Sequence, residues 1–417
     1  MTSLPRPPLL PLDEALSRLL AFATPRLNDE PVPVGDADGR VLAQDVVSAL
    51  HVPPQDNSSM DGYAVRCADV NAPGVQLPVS QRIAAGSSGS PLQAGTVARI
   101  FTGAPVPSGA DAVVMQEDCA ALPPTGAANE IPRVQVNTPP APGQNIRRAG
   151  EDVARGDVVL SSGQRLGPAE LGLAASIGMA TLDVARRPRV ALFSTGDELV
   201  MPGTVAPQDM PPGAIYNSNR FFLSALLRRM GCVVTDLGIV PDQREATVQA
   251  LREAAQAHDV ILTSGGVSVG EEDHIKPAVQ TLGSLDLWQI AMKPGKPFAY
   301  GRIGAAHFLG LPGNPVSSFV TFLVLVRPFL LQLQGTHDVT MTTVAARADF
   351  TWAKPDKRRE FLRARRNADG GLDLFPNQSS GVLTSAVWGD GLIDNPSGCR
   401  IAPGDTVRFV SFAEVLA

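Results

Sequence analysis

Residues 259–273 read DVILTSGGVSVGEED, and the fold turns on how that stretch is parsed. Val260, Ile261, Leu262 and Thr263 form an uncharged run of strand length, which reads as a strand buried on both faces. The small residues behind it read as a loop at the strand's carboxyl end. Working outward, 190–194 is a second buried strand, 221–230 a helix, 233–240 a strand and 244–256 a helix. This βαβ rhythm predicts a doubly wound parallel sheet. It continues through a helical segment at 275–282, a strand pair within 288–300, a strand at 307–311 and a long helix at 315–333. That helix is uncharged over 319–326, but Arg327, Pro328 and Gln332 interrupt it well short of the ~20 apolar residues of a membrane span. It is expected to be a buried core helix.

Outside this unit the pattern changes on both sides. Leu12, Leu16, Leu19, Leu20 and Phe22 mark an amphipathic helix that ends before Pro25. From about 40 to 160, short Val/Ile runs at 97–102, 112–116 and 134–137 alternate with Gly and Pro, the signature of a β-rich domain, with 120–128 expected as an exposed loop. After Gly335, the apolar positions Val339, Met341, Phe361, Leu372 and Leu374, with turns at 369–371 and 403–405, predict a small antiparallel β module ending near 412.

Composition excludes several function classes. The 417 residues suit two to four domains, and 44% hydrophobic with 18% charged residues excludes a disordered chain. The 39 Gly and 37 Pro demand many loops and short strands. A net charge of -6 with no Lys/Arg block gives no nucleic-acid footprint. Four separated cysteines and five histidines show neither CxxC nor HExxH spacing, so no disulfide framework and no His/Cys metal catalysis is expected. Pro7, Pro8 and Pro11 break the only N-terminal apolar run, so no signal peptide is expected and a cytoplasmic location is the default.

Ligands of doubly wound sheets bind at the carboxyl ends of the strands, which directs attention to three loops. Thr195-Gly196-Asp197-Glu198 offers a hydroxyl, a glycine and two carboxylates, although a helix cap would look the same. Ser264-Gly265-Gly266-Val267-Ser268-Val269-Gly270 is a candidate phosphate cradle, because small residues let backbone N–H groups converge on an anion. It matches neither the dinucleotide fingerprint nor the P-loop. Pro312-Gly313-Asn314-Pro315-Val316-Ser317 opens the long helix with proline at its first position, leaving backbone donors for an anion or making a plain capping turn. Glu198, Asp242 and Asp273 stand at strand ends, where oxygen ligands can hold Mg²⁺. Lys293-Pro294-Gly295-Lys296-Pro297 places two lysines on a proline-stiffened backbone without a nearby acid in sequence, a candidate oxyanion clamp. Arg147 to Asp152 reads equally as a surface ion-pair cluster or an anion contact.

Six strings in order, NSSMDGYA (57–64), RRAGED (147–152), STGDEL (194–199), SGGVSVG (264–270), KPGKP (293–297) and PGNPVS (312–317), resemble the molybdopterin molybdenumtransferase family. The resemblance runs from about residue 12 to the end. It implies an α/β multidomain chain: 1–51 plus 146–180 as a linker and dimerisation domain, 52–145 as an inserted β-rich domain, 181–334 as a doubly wound α/β domain of molybdopterin-binding type, and 335–417 as a small β-barrel. It implies that molybdate is inserted into adenylylated molybdopterin with Mg²⁺-dependent hydrolysis of the adenylate and release of AMP. It implies further that Ser264, Gly265, Gly266, Ser268 and Gly270, with Pro312, Gly313, Asn314, Pro315 and Ser317, bind the pterin phosphate and adenylate alongside Thr195, Gly196 and Asp197. Glu198, Asp242 and Asp273 would serve the metal or the water. Lys293 and Lys296, with Arg359 or Arg363 and Ser380, would hold molybdate. A homodimer is implied, with Asp61 and Thr102 acting from the partner, and with transient contacts to molybdopterin adenylyltransferase and molybdoenzymes. The alternatives are an adenylyltransferase or a non-enzymatic scaffold of the same fold. Anhydride cleavage needs charge neutralisation and an aligned water more than a protein nucleophile, which agrees with the absence of a Ser-His or Cys-His pairing in these motifs.

Overall fold

The computed structural model describes residues 9–24, 28–123, 131–241, 243–266 and 274–416. Its central sheet runs in the order Val233–Val240, Arg189–Thr195, Val260–Ser264, Ala306–Leu311, Pro297–Ile303 and Gly283–Gln289. The first four strands are parallel, as the βαβ rhythm demands. The last two form an antiparallel hairpin that extends the sheet, so the strand pair expected within 288–300 begins earlier, at Gly283.

Side-chain alternation explains the layers. Val190, Leu192, Val260 and Leu262 face one core, shared with Leu223, Leu227 and the long helix. Ala191, Phe193 and Ile261 face another, closed by the helices Arg244–Ala257 and Ile275–Leu282. Both faces of the sheet are therefore covered at its centre, which is why the strands Arg189–Thr195, Val260–Ser264 and Ala306–Leu311 lack polar alternation.

The helix Pro315–Leu333 is, among the described residues, the one helix long and apolar enough to cross a membrane, and 83% of its apolar window is buried inside the protein. It is a core helix. Its middle, Phe322–Val326, widens into a π turn. Pro328 accounts for this, since it has no N–H for the carbonyl of Val324 and its ring crowds that turn.

Two segments sit away from the domains their sequence position implies. Helix Leu12–Phe22 packs into the α/β core: Gln332 donates to the Leu20 carbonyl at 2.8 Å, and Phe22 stacks on Tyr300 with ring centroids 4.4 Å apart. Thr181–Ala185 pairs with Asp29–Pro33, and the central sheet begins at Arg189.

The β-rich sheet has the order Ala112–Met115, Gly62–Val65, Val97–Ile100, Val75–Ile83, Arg133–Val136, Cys119–Ala121. Part of the loop expected at 120–128 is strand, since Ala120 and Ala121 pair with Gln135 and Val134, while 124–130 lie outside the described residues. Gly62 is required here by close approach, because a Cβ at that position would lie 1.9 Å from the Val114 carbonyl oxygen.

The C-terminal sheet runs Met292–Lys293, Arg359–Arg366, Gly391–Asn395, Thr406–Ser411, Val344–Arg347, with Leu372–Leu374 also on Arg359–Arg366. A single bridge, Ala348 to Leu372, brings its ends together into a barrel-like closure. Its first strand comes from the α/β hairpin: Lys293 pairs in register with Glu360.

Candidate functional site

A cleft of about 550 Å³ opens at the carboxyl ends of Arg189–Thr195, Val260–Ser264 and Ala306–Leu311. Thr195, Gly196 and Glu198 line it from the first loop, Ser264, Gly265 and Gly266 from the second, and Pro312, Gly313, Asn314, Pro315 and Ser317 from the third. The structure thus gathers three loops that the sequence spreads over more than a hundred residues. Asp197 is exposed and stands outside the lining, and Asp242, Ser268, Gly270 and Asp273 lie outside the described residues.

Backbone conformation explains the glycines. Gly265 and Gly266 have φ of 93° and 69°, and a Cβ on Gly266 would lie 2.5 Å from Ile275 and 3.1 Å from the Thr195 hydroxyl. Only glycine takes that turn and leaves the loops in contact. At the long helix, Pro315 stands at the first position as expected, but the Val316 N–H is already spent on the Ser380 carbonyl at 2.9 Å.

The sequence reading missed one wall. Tyr216, Asn217, Ser218 and Asn219 also line the cleft, at the start of helix Asn219–Arg229. The buried Asn219 amide donates to Ser264 Oγ at 2.8 Å and to the Gly313 carbonyl at 2.6 Å. The available signal was a polar Asn-Ser-Asn triplet ahead of an amphipathic run, at a strand-to-helix transition.

Beside the cleft, the KPGKP turn lies on the long helix. Gly295 has φ of 107°, and a Cβ there would meet the Thr321 hydroxyl at 2.3 Å, so the turn fits only without a side chain. Pro297 reaches the cleft lining. The expectation that both lysines lack acidic partners fails for Lys293, which lies 3.3 Å from Glu360 and 3.6 Å from Asp356. Those acids arrive by strand pairing and are invisible in the local sequence. Lys296 forms no ion pair among the described residues.

The two candidate arginines differ sharply. Arg359 grips Asp394 through two hydrogen bonds of 2.6 and 2.7 Å and reaches Asp13 at 2.8 Å. Hydrogen bonding to Asp394 raises its pKa above the ordinary value. Arg363 is 1% exposed and bonds only neutral acceptors: Ser385 Oγ at 3.1 Å and the carbonyls of Phe361 and Ser379 at 3.1 and 3.4 Å. Burial without a counter-ion pushes its guanidinium down to about 10. The Ser379-Ser380 loop that it touches is the one bonded to Val316, so a buried positive charge abuts the turn that lines the cleft.

On the β-rich sheet, Asp61 accepts hydrogen bonds from the Thr102 N–H and hydroxyl, both at 2.8 Å, and these hold its carboxyl below the ordinary value. Neither residue lines the cleft of its own chain. The ambiguous cluster at 147–152 forms surface ion-pair contacts, since Arg148 bonds Asp56 at 2.6 Å. Among the described residues no group of three or more His, Cys, Asp or Glu is gathered. Of the expected metal ligands only Glu198 is described, an exposed carboxylate beside Gly196 at the cleft.

A covered, mostly parallel sheet with an anion-suited cleft at its strand ends defines a molybdopterin-binding type of domain, and residues 191–332 match the family model described as a probable molybdopterin binding domain. Residues 10–178 match the MoeA N-terminal region (domain I and II), and 345–412 the MoeA C-terminal region (domain IV). The chain is 42% identical over 332 residues to a molybdopterin molybdenumtransferase of Haemophilus influenzae, covering 78% of each chain. It is 38% identical over 377 residues to molybdopterin molybdenumtransferase 2 of Mycobacterium tuberculosis, covering 88% of this chain and 90% of that one. A solved molybdopterin biosynthesis MoeA protein of Pyrococcus horikoshii superposes with a TM-score of 0.84 at 28% identity, over 97% of this chain and 100% of that one. The chain belongs to the molybdopterin molybdenumtransferase family, and its role lies in molybdenum cofactor biosynthesis. Nothing in these comparisons favours the adenylyltransferase or scaffold alternative.

Proposed function

We propose that the chain inserts molybdenum from molybdate into adenylylated molybdopterin, hydrolysing the adenylate and releasing AMP. The observation that carries this reading is the juxtaposition of a glycine- and hydroxyl-lined cleft, with Glu198 as its one carboxylate among the described residues, and a buried guanidinium without a counter-ion at its edge. The glycine loops at 264–266 and 312–317 would hold the phosphates through backbone N–H groups and hydroxyls. Arg363, Lys296 and Ser380 would hold the molybdate dianion; a unit charge ~4 Å away at an effective dielectric near 20 is worth about 4 kcal/mol. Arg359 is committed to carboxylates and is the weaker choice. Lys293, tied to Glu360 and Asp356, would fix the turn that presents Lys296.

The family also implies Mg²⁺. The expected donors Glu198, Asp242 and Asp273 are all carboxylates, the set a hard cation takes, and the ion would neutralise phosphate charge. Glu198, which lines the cleft, would be one of these donors. Asp61 and Thr102 fit a role in a homodimer, where a second chain's cleft would receive them. We place the chain in the cytoplasm, in transient contact with molybdopterin adenylyltransferase and recipient molybdoenzymes, and divide it at 51, 145, 180 and 334, with helix Leu12–Phe22 docked on the α/β domain.

The test supplies adenylylated molybdopterin, Mg²⁺ and molybdate to the purified chain. AMP should appear and the product should reconstitute an apo-molybdoenzyme; no AMP under those conditions overturns the proposal.

A further inference from the structure

We infer that Asn219 is a positioning residue for this reaction, setting the separation of the two loops that grip the phosphates; the inference rests on the proposed function. Beyond the last ladder bond of a parallel sheet, neighbouring loops have no backbone pairing to hold their spacing, and twist carries them apart. Here the last such bond runs from the Gly265 N–H to the Leu311 carbonyl at 3.1 Å, and at Gly313 the loops face each other without a side chain, since a Cβ there would have the Gly265 Cα as its nearest neighbour, at 3.8 Å. The spacing is left to hydrogen bonds.

Asn219 supplies them. Its amide nitrogen carries two hydrogens, one directed to Ser264 Oγ at 2.8 Å and one to the Gly313 carbonyl at 2.6 Å. The residue is 8% exposed and begins a helix anchored in the core by Leu223, Leu226 and Leu227, so the clamp stands on a rigid base. The bonding has a direction. Ser318 gives its hydroxyl hydrogen to the Pro312 carbonyl, and Ser264 accepts from Asn219, which leaves the Ser264 hydrogen for Ser318 Oγ, 3.4 Å away, or for a ligand in the cleft. Asn219 therefore orients a donor as well as holding a distance, although its own amide hydrogens are both engaged elsewhere.

The experiment measures AMP release by the full chain with adenylylated molybdopterin, molybdate and Mg²⁺. Asn219→Ala should lower kcat between about 10- and 100-fold, the penalty of a small misplacement, with a smaller change in KM and little change in Tm. Because Asn219 acts in part through Ser264, the losses in Asn219→Ala and Ser264→Ala should multiply to more than the loss in the double variant. Asn219→Asp keeps the shape but turns an oxygen toward the Gly313 carbonyl, and should be at least as slow; it replaces the alanine variant if that one does not fold. A wild-type kcat in folded Asn219→Ala, or losses that multiply in the double variant, would overturn the inference. A wild-type chain that releases no AMP overturns the proposed function first, and this inference with it.

Discussion

The cleft and the arginine strand beside it are suited to negative charge by opposite means. The cleft lines itself mainly with glycine backbone and neutral hydroxyls, and its one carboxylate among the described residues, Glu198, is exposed, so no buried charge has to be stabilised there. The strand Arg359–Arg366 instead buries Arg363 with no carboxylate in reach, which is unfavourable by several kcal/mol in principle until an anion arrives. Four residues earlier on that strand, Arg359 has its counter-ions built in. The contrast teaches that a paired arginine holds the fold together, whereas an unpaired buried one stores an affinity for a ligand.

Breaking the contrast at its strongest point should have the largest effect. Arg363→Ala is expected to reduce molybdate-dependent AMP release by about 100-fold or more, as loss of a preorganised charge donor does. Arg359→Ala should leave the KM for molybdate near wild type and lower stability by about 1–2 kcal/mol, since Arg408 still meets Asp394 at 2.6 Å. Reversal of those two outcomes, read by kinetics and denaturant melts, would exchange the roles of the arginines. On the cleft side, Gly266→Ala forces a side chain into a left-handed turn and against Ile275; it should destabilise the chain by about 1–3 kcal/mol and weaken AMP binding in calorimetry.

Two smaller effects sharpen the comparison. Lys296→Ala should weaken molybdate dependence by about tenfold while AMP binding persists, a loss of roughly 1.4 kcal/mol. Lys293→Ala should do less, unless the turn itself shifts. Equal loss of AMP binding in both variants would assign the lysines to the nucleotide. Arg363→Met should raise stability by about 1 kcal/mol while abolishing molybdate dependence. The sign follows from linkage: the guanidinium's folded value, about 10, lies below its ordinary value, so the destabilisation is fully present below about 10 and fades as pH rises from there. The gain in Tm at pH 7 should therefore narrow in alkaline buffer.

Much of the α/β unit was legible because its central strands, 190–195 and 260–264, are short uncharged runs ending in small residues, a local pattern that burial on both faces requires. The three cleft loops were legible for the same reason, as their glycines are dictated by local backbone geometry. What escaped was set by distant partners. The acids that hold Lys293 come from strand pairing with a later domain, and Arg359 and Arg363 are four residues apart in one string, distinguished only by what packs around them. Asn219 escaped because its two acceptors lie 45 and 94 positions away. Helix Leu12–Phe22 announced an apolar face without naming the surface that covers it.

The pairing of Met292–Lys293 with Arg359 and Glu360 means that the α/β hairpin and the C-terminal barrel share one continuous seam of backbone. A chain cut after Gly335 would lose more than its last module. It would expose a bare strand edge at the very turn that carries the lysines, and Lys293 would be released from Glu360. Dissection of this enzyme at its apparent linker is therefore surgery on the site, and the excised α/β unit should be sticky as well as slack.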